Sequence, residues 1–206
     1  MSSRTPLVLG TRNRKKGLEL ADLLAPAGVE VKTLGDFPHA IDVVEHGRTF
    51  AENARLKATE QARHLGQWVL GEDSGLLVDA LGGAPGVFSA RFSGPEATDA
   101  TNNQLLLKKL AGVPLERRTA AYVCHMAVAD RAGEVRVESE ARCRGRILTD
   151  PRGTHGFGYD PLFEVVEYHR SFGELGPRVK AVLSHRSRAA GLLLPKLVTL
   201  VDAGEL

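Results

Sequence analysis

A pair of neighbouring carboxylates, Glu72 and Asp73, follows the apolar run Trp68–Gly71, which is typical of a buried strand. We place the pair at the carboxyl end of this strand, where open α/β sheets bind ligands. Successive side chains of an extended segment point to opposite faces, so we expect one of the two to enter a given site. Oxygen ligands completed by water and substrate phosphates suit Mg²⁺, and Glu45 could supply a second carboxylate. A cap or turn role for the pair is the alternative.

A basic and polar segment follows a second apolar run, Leu7–Gly10. Thr11–Lys16 places a hydroxyl, an amide and four cations between this predicted strand and a helical pattern. Helix N-termini present unpaired N–H groups and a partial positive charge, so the segment could hold phosphate. It lacks the spaced glycines of a P-loop, and a solvated basic turn explains it equally well.

Two later segments could also contact a ligand. Glycines flank Phe157 within Gly153–Pro161, so a ligand could approach the backbone and a base could stack on the ring. The alternative is a turn with Phe157 in the core. Lys180 and Ser184–Ser187 would suit a phosphate or a carbonyl oxygen, or form a basic surface turn. No spacing indicates a Ser-His-Asp or Cys-His arrangement, so we do not expect covalent catalysis.

The helices that position these residues are predicted from caps and periodicity. Thr49–Glu52 fits a capping box and opens a helix. A further helix is predicted from about Thr98 to Leu110. A last helix begins at Ser184, a plausible N-cap, and Pro195 should kink or interrupt it.

The predicted strands combine parallel and antiparallel types. Val29–Val31 is a short strand, and Tyr122–Ala129 pairs with Val135–Arg144 as an antiparallel hairpin across the turn Asp130–Gly133. Strand–helix units together with a hairpin predict a mixed sheet, and therefore an α/β fold. The length of 206 residues favours one compact domain over residues 1–206.

Composition excludes several classes of protein. Lys and Arg total 27 against 25 Asp and Glu, and a net charge of +2 does not favour a nucleic-acid partner. No apolar run approaches the roughly 20 residues that span a bilayer, and no signal-like stretch follows Met1, so a cytoplasmic location without a membrane partner is expected. Cys124 and Cys143 fall in predicted strands and are interpreted as buried thiols.

Taken in order, the motifs closely resemble those of the inosine/xanthosine triphosphate pyrophosphatase family, from residue 7 to about residue 193. They are Thr11-x-Asn13-x-x-Lys16, Thr49-Phe50-x-Glu52-Asn53-Ala54-x-x-Lys57-Ala58, Asp73-Ser74-Gly75-Leu76, Gly82-Gly83-Ala84-Pro85-Gly86-Val87, Ser89-Ala90-Arg91-Phe92-Ser93-Gly94, Gly156-Phe157-Gly158-Tyr159-Asp160-Pro161 and Ser184-His185-Arg186. The resemblance implies a two-lobed α/β protein with an active cleft between the lobes, which usually forms a homodimer. It also implies Mg²⁺-dependent cleavage of ITP, dITP or XTP to the monophosphate and pyrophosphate.

The resemblance further implies residue roles. Thr11, Asn13, Lys16 and Lys57 would bind the triphosphate, Glu45 and Asp73 would hold Mg²⁺, and Asp73 would activate the attacking water. The remaining nucleotide contacts would come from Ser74, Phe157, Gly158, Tyr159, Asp160, Lys180, His185 and Arg186. Glu72 departs from the Asp that family members often have, and its extra methylene shifts the reach of the carboxylate.

Donors from Arg186 or His185 would favour the 6-oxo group of hypoxanthine and xanthine over the 6-amino group of adenine. Guanine also carries a 6-oxo group, and no residue of the sequence visibly rejects it. Two other functions remain open: a related pyrophosphatase for pyrimidine or modified nucleotides, and a non-catalytic nucleotide-binding protein.

Overall fold

The computed structural model describes residues 6–206, which contain seven strands and five α-helices. The strands are β1 (Pro6–Leu9), β2 (Glu30–Thr33), β3 (Trp68–Val78), β4 (Thr119–Ala129), β5 (Val135–Ile147), β6 (Phe163–Val165) and β7 (Arg170–Ser171). The helices are α1 (Arg14–Leu24), α2 (Phe50–Leu65), α3 (Asp99–Lys109), α4 (Phe172–Leu183) and α5 (His185–Asp202). Short 3₁₀ turns lie at Ala25–Ala27, Leu34–Asp36, Asp79–Leu81, Gly86–Arg91, Leu115–Arg117 and Val166–Tyr168.

The strands form one mixed sheet in the order β2-β1-β3-β4-β5-β6-β7. β1 is parallel to both β2 and β3, whereas β6 is antiparallel to both β5 and β7. β4 and β5 are neighbours joined by a short connection, which only antiparallel strands allow. The predicted α/β class and mixed sheet are therefore confirmed.

The structure corrects the predicted position of the acidic pair. Glu72 and Asp73 do not follow the end of β3 but lie inside it, because the strand continues to Val78. β1 pairs with β3 only from Leu7 opposite Trp68 to Leu9 opposite Leu70. The pair therefore lies just beyond the parallel part of β3, which explains why the apolar run stops there.

The start of α2 agrees with the predicted capping box, and α3 begins next to Thr98, where a helix was predicted to start. Thr49 and Thr98 each accept a hydrogen bond from the backbone of the third residue of α2 and α3. α4 was not predicted, because Gly176 and Pro177 disrupt its pattern, and Gly176 is non-helical at φ 74°. Pro195 does not interrupt α5, which continues to Asp202. Burial of Leu193, Leu197 and Leu200 along one side of the helix outweighs the one backbone bond that proline removes.

The first of two compact units comprises the described residues up to Asp73 together with Cys124–Ala141 and Arg186–Leu206. On one side of its strands, Leu7, Leu9, Trp68 and Leu70 pack with apolar residues of α1 and α5. On the other side, Val8 and Val69 pack with the alanines of α2. The period of two along β1 and β3 thus determines which helix each strand residue meets.

The second unit comprises Ser74–Val123 and Arg142–His185. Its core is rich in aromatic residues, since Tyr122, Phe163 and Phe172 pack with Leu106 of α3 and Ile147 of β5. Phe163 and Phe172 stack with centroids 5.5 Å apart. β3, β4 and β5 each contribute residues to both units.

Cys124 and Cys143 are buried free thiols, as predicted. Across residues 6–206, no helix combines the length and hydropathy needed to span a bilayer.

Candidate active site

Asp73 lies on the face of β3 that packs against α2. Gly71, two residues earlier on the same face, makes the close approach possible. A Cβ at Gly71 would lie 2.1 Å from the carbonyl oxygen of Ala54 and 2.6 Å from the nitrogen of Ala58. Only glycine lets the helix backbone rest on the strand at this point, so the side chains of α2 can reach Asp73 directly.

Two polar side chains contact the carboxylate of Asp73, which is 7% exposed. Lys57 Nζ lies 3.0 Å from Oδ1, and Asn53 Nδ2 donates to Oδ2 at 3.2 Å. Lys57 Nζ also lies 3.3 Å from Glu45 Oε2. The ammonium of Lys57 therefore lies between two carboxylates, in a place where the local charge favours a cation.

Burial determines the basicity of this site. It raises the pKa of Asp73 above its ordinary value, although Lys57 and Lys16 partly oppose the shift. Burial alone would lower the pKa of Lys57, but the carboxylates of Asp73, Glu72 and Glu45 more than offset it, so that pKa is raised. Asp73 is thus a stronger base than an exposed aspartate, next to a lysine that stays charged.

Glu72 points to the opposite face of β3, towards α1 and α5. Its side chain is fully buried, and Oε2 lies 2.9 Å from Lys16 Nζ. Oε1 accepts from Arg186 Nη2 at 3.0 Å, and the Cys124 thiol donates to the same oxygen at 3.5 Å. Burial and the charge of Glu72 raise the pKa of Cys124 well above its ordinary value, so the thiol remains a neutral donor. Glu72 is thus directed to cations of the protein, away from the Asp73 side.

Arg186 is 1% exposed and is shared between two carboxylates. Its Nη1 donates to Glu19 Oε2 at 2.7 Å, while Nε and Nη2 face Glu72 Oε1. Burial opposes the charge, but Glu72 and Glu19 outweigh it, so the pKa of Arg186 is raised. Arg186, which the resemblance assigns to the nucleotide, is a buried charge partner here, and its nucleotide contact stays a prediction.

The Thr11–Lys16 segment forms the start of α1, as predicted. Asn13 is the N-cap, and its Oδ1 accepts from the backbone nitrogen of Lys16 at 3.2 Å. Thr11 Oγ1 accepts from the nitrogen of Asn13 at 3.2 Å. Arg12 turns away to pair with Asp42. The cap residues thus order the turn and direct Lys16 towards Glu72.

A second polar cluster lies within the second unit, around Asp160. Asp160 is 1% exposed and accepts from the nitrogen of Phe157 at 2.9 Å and from Lys180 Nζ at 2.6 Å. Lys180 Nζ also lies 4.1 Å from the centroid of the Phe157 ring. Gly156, at φ 81°, leaves no room for a side chain, because a Cβ there would lie 2.0 Å from Asp160 Oδ2. An aromatic face, a cation and a carboxylate are thus held together.

The second unit also contains His185, Tyr159 and Ser74, which were predicted to contact the nucleotide. The ring of His185 stacks on Tyr122 with centroids 4.7 Å apart. Tyr159 is buried and donates its hydroxyl to the Ser89 carbonyl at 2.8 Å. Ser74 follows Asp73 on β3 and is partly exposed.

Within residues 6–206, no group of three or more His, Cys, Asp or Glu residues is arranged to hold a metal ion. Asp73 and Glu45 are nevertheless oxygen donors that already hold one cation, Lys57 Nζ, between them. Two carboxylates completed by waters and phosphate oxygens form a common environment for a hard divalent ion. The donor set therefore fits a divalent cation bound together with a phosphorylated ligand.

Comparison with known proteins identifies the family. The Ham1 family model matches residues 7–196 of this chain. The chain belongs to the Ham1 family. A protein from Rhodopirellula baltica named dITP/XTP pyrophosphatase is 52% identical over 203 residues, covering 98% of each chain. Another of that name, from Geobacillus kaustophilus, is 51% identical over 183 residues, 89% of each chain.

Solved structures agree with the family and the fold. A HAM1 protein from Coxiella burnetii superimposes with a TM-score of 0.87 at 36% identity, covering 95% of this chain and 99% of that one. A nucleoside-triphosphatase / dITP/XTP pyrophosphatase from Mycobacterium abscessus gives a TM-score of 0.77 at 43% identity, with 93% and 100% covered.

Two residues of this Ham1-family site received no role from the sequence. Asn53 is fully buried and contacts Asp73, and its position one helical turn before Lys57 was a usable signal. Glu19 holds Arg186 across 167 positions of sequence, and no local pattern reveals such a pairing.

Proposed function

We propose that this Ham1-family chain hydrolyses the deaminated purine nucleotides ITP, dITP and XTP to the monophosphate and pyrophosphate. The observation that carries the proposal is Asp73, a buried carboxylate with a raised pKa, held between Lys57 and Asn53 and close to Glu45 through Lys57. The relatives named dITP/XTP pyrophosphatase support the substrate class.

The triphosphate is bound in this proposal by two lysines and the start of α1. Lys16 and Lys57 are cations, and the start of α1, with Thr11 and Asn13, adds backbone donors and a partial positive charge. Pyrophosphate leaves only when the charge that builds on the β-phosphate is neutralised. The lysines contribute to this directly.

We assign Mg²⁺ to Asp73 and Glu45, with waters and phosphate oxygens completing its ligands. The chemistry that the ion supplies when bound is neutralisation of phosphate charge. Lys57, whose ammonium lies between the two carboxylates in this structure, would then be available to the phosphates.

Asp73 is the general base for the attacking water. Its carboxylate accepts a proton as the water oxygen bonds to the α-phosphorus and pyrophosphate departs. Asn53 fixes the orientation of the carboxylate through Oδ2.

The proposed nucleoside contacts centre on Phe157, Lys180 and His185. The ring of Phe157 offers a stacking face, and Lys180 and His185 offer donors to a 6-oxo group, whereas a 6-amino group would face them with donors of its own. Asp160 holds Lys180 and the backbone of Phe157 in place. Ser74, Gly158, Tyr159 and Arg186 complete the proposed nucleotide contacts.

The test is a panel of nucleotides at equal concentration with Mg²⁺, namely ITP, dITP, XTP, GTP, ATP, dTTP and UTP. We expect pyrophosphate and the monophosphate from the first three. Orthophosphate as the product would show another phosphohydrolase. Preference for dTTP or UTP by about tenfold, or 1.4 kcal/mol, would favour a pyrimidine-directed enzyme, and binding without turnover would indicate a non-catalytic protein. The proposed homodimer is tested separately by sedimentation of the full chain.

A further inference from the structure

The loop that carries Phe157 is tied to α3 through one residue, Gly158. The backbone N–H of Gly158 donates to Asp99 Oδ2 at 2.8 Å. Its carbonyl oxygen accepts from Asn103 Nδ2 at 3.0 Å. Asp99 and Asn103 are four residues apart, so they lie on the same face of the helix. One face of α3 therefore holds both polar groups of Gly158.

These contacts restrict Phe157 from its carboxyl side. Asp160 already holds the nitrogen of Phe157 from within the loop. Gly158, at φ 62°, and Gly156, at φ 81°, are glycines in the left-handed region, which leaves the chain conformationally free unless side chains hold it. A loop ordered before binding loses less conformational entropy when its ligand arrives.

Asn103 does not fit a purely stabilising role. Its Oδ1 is buried and accepts no hydrogen bond from any described residue. A buried acceptor left unsatisfied costs stability. The hydrogen bond from Asn103 Nδ2 to the Gly158 carbonyl oxygen therefore accounts for an amide at this position.

We infer that Asp99 and Asn103 are positioning residues, which hold Phe157 at a fixed place for the nucleobase and so contribute to base selectivity. The inference rests on the proposed function, in which Phe157–Asp160 contact the nucleotide. Asp99 and Asn103 each form a hydrogen bond with the loop at Gly158. They act on the base through the position of the loop.

The test compares Asp99→Ala and Asn103→Ala with Gln104→Ala, an exposed position on the same helix. We expect KM for ITP to rise about three- to tenfold in the first two, as for the loss of one hydrogen bond. kcat should change little, because the base is remote from the reacting phosphorus. The ratio of kcat/KM for ITP to that for ATP should fall, because a loosened loop discriminates less.

A conservative variant separates positioning from simple loss of structure. Asp99→Asn keeps an acceptor oxygen for the Gly158 N–H and should restore KM and the selectivity ratio close to the unmodified chain. Gly158 amide exchange, followed by NMR, should accelerate in Asp99→Ala and stay unchanged in Asp99→Asn and Gln104→Ala. Because Asp99 is exposed, Asp99→Ala carries the test alone if Asn103→Ala fails to fold.

The inference is overturned if Asp99→Ala matches Gln104→Ala in KM, selectivity and amide exchange. It is also overturned if kcat and the melting temperature fall together while KM is unchanged, since that is the signature of a structural role. Failure of the proposed function is distinguishable, because the unmodified chain would then release no pyrophosphate from ITP whatever the exchange data show.

Discussion

Two adjacent carboxylates of the same strand acquire different roles from their side of the sheet. Asp73 faces α2 and meets Lys57 and Asn53, whereas Glu72 faces α1 and α5 and meets Lys16 and Arg186. Alternation along an extended strand is sufficient to separate them. The sequence could predict this separation, but which helix lay on which side depended on packing.

Replacing Asp73 by Asn should abolish most turnover and leave the fold intact. The amide keeps the size of the side chain but cannot accept the proton, so we expect kcat to fall about 10²- to 10⁴-fold. Pyrophosphate release measures turnover, and binding of ITP to the variant should persist. Asp22→Asn, an exposed carboxylate of the same unit, is the matched control. Near-normal activity of Asp73→Asn would mean that another group is the base.

Replacing Glu72 by Gln should cost more stability than replacing Glu19 by Gln. Glu72 has a fully buried side chain between Lys16 and Arg186, whereas the side chain of Glu19 is 20% exposed. Breaking a buried ion pair leaves a buried charge without compensation, at about 3–5 kcal/mol. Urea unfolding gives the free energies. Glu72→Asp keeps the charge and should lose less free energy of unfolding than Glu72→Gln. Equal losses for Glu72→Gln and Glu19→Gln would contradict this account.

At the scale of elements, features that depend on local sequence patterns could be predicted, whereas features that depend on long-range packing could not. The capping box of α2 and the β4–β5 hairpin were visible because caps and alternation are local patterns. α4 was missed because Gly176 and Pro177 lie inside it, and the length of β3 was missed because its second half lies beyond an acidic pair. The contacts of Asp73 depend on where α2 packs, which no local pattern specifies.

Replacing Gly71 by Ala should loosen α2 from β3. A Cβ there meets backbone atoms of Ala54 and Ala58, which cannot rotate away, so the helix must shift. Overpacking of this kind costs about 1–3 kcal/mol. Displacing Asn53 and Lys57 should also reduce pyrophosphate release. Gly17→Ala in α1 has no atom within 4 Å of the added Cβ and is the control. Unchanged melting temperature and activity in Gly71→Ala would disprove the close contact.

α2 is also joined to β5 by an acid-sensitive contact. Arg55 Nε donates to Glu138 Oε2 at 2.8 Å, and His125 Nε2 lies 2.8 Å from the same oxygen. Burial would raise the pKa of Glu138, but these partners hold it below the ordinary value of 4.5. A carboxylate with a depressed folded-state pKa stabilises the protein above its unfolded pKa and loses that contribution as pH falls through the folded value.

The melting temperature of the unmodified chain should therefore fall more steeply from about pH 5 to about pH 3 than that of Glu138→Gln. Thermal unfolding followed by circular dichroism across this range measures the difference. Glu134→Gln removes an exposed carboxylate from the turn before β5 and is the control. If the melting temperatures of Glu138→Gln and the unmodified chain fell in parallel with pH, the Glu138 carboxylate would not contribute to stability in this way.

At the scale of the whole molecule, the family was predictable from ordered motifs, and the Ham1 match over residues 7–196 confirms it. The TM-score of 0.87 to a HAM1 protein confirms the fold in the same way. Motifs distributed along the chain indicate common ancestry more reliably than they indicate which side chains are in contact. The roles assigned to single side chains are therefore the part that needs experiment.

Metal and substrate should stabilise the chain together. A ligand that binds only the folded state adds about 2.7 kcal/mol at 100 times its Kd. We expect ITP with Mg²⁺ to raise the melting temperature and a chelator to remove both turnover and most of that shift, with Mg²⁺ in excess restoring them. Full turnover in the presence of excess chelator would eliminate the assignment of Mg²⁺ to Asp73 and Glu45.

The first unit is assembled from three separate stretches of the chain. Arg186 lies 114 positions after Glu72 and 167 positions after Glu19, yet it is the residue that both carboxylates hold. During synthesis, β3 and its acidic pair leave the ribosome well before α5 exists. Until then Glu72 has Lys16 but lacks its arginine, so the face of β3 that carries Glu72 is completed late, after the intervening segments have been made. A chain stopped ahead of α5 would carry every proposed base and metal ligand and still lack a finished site.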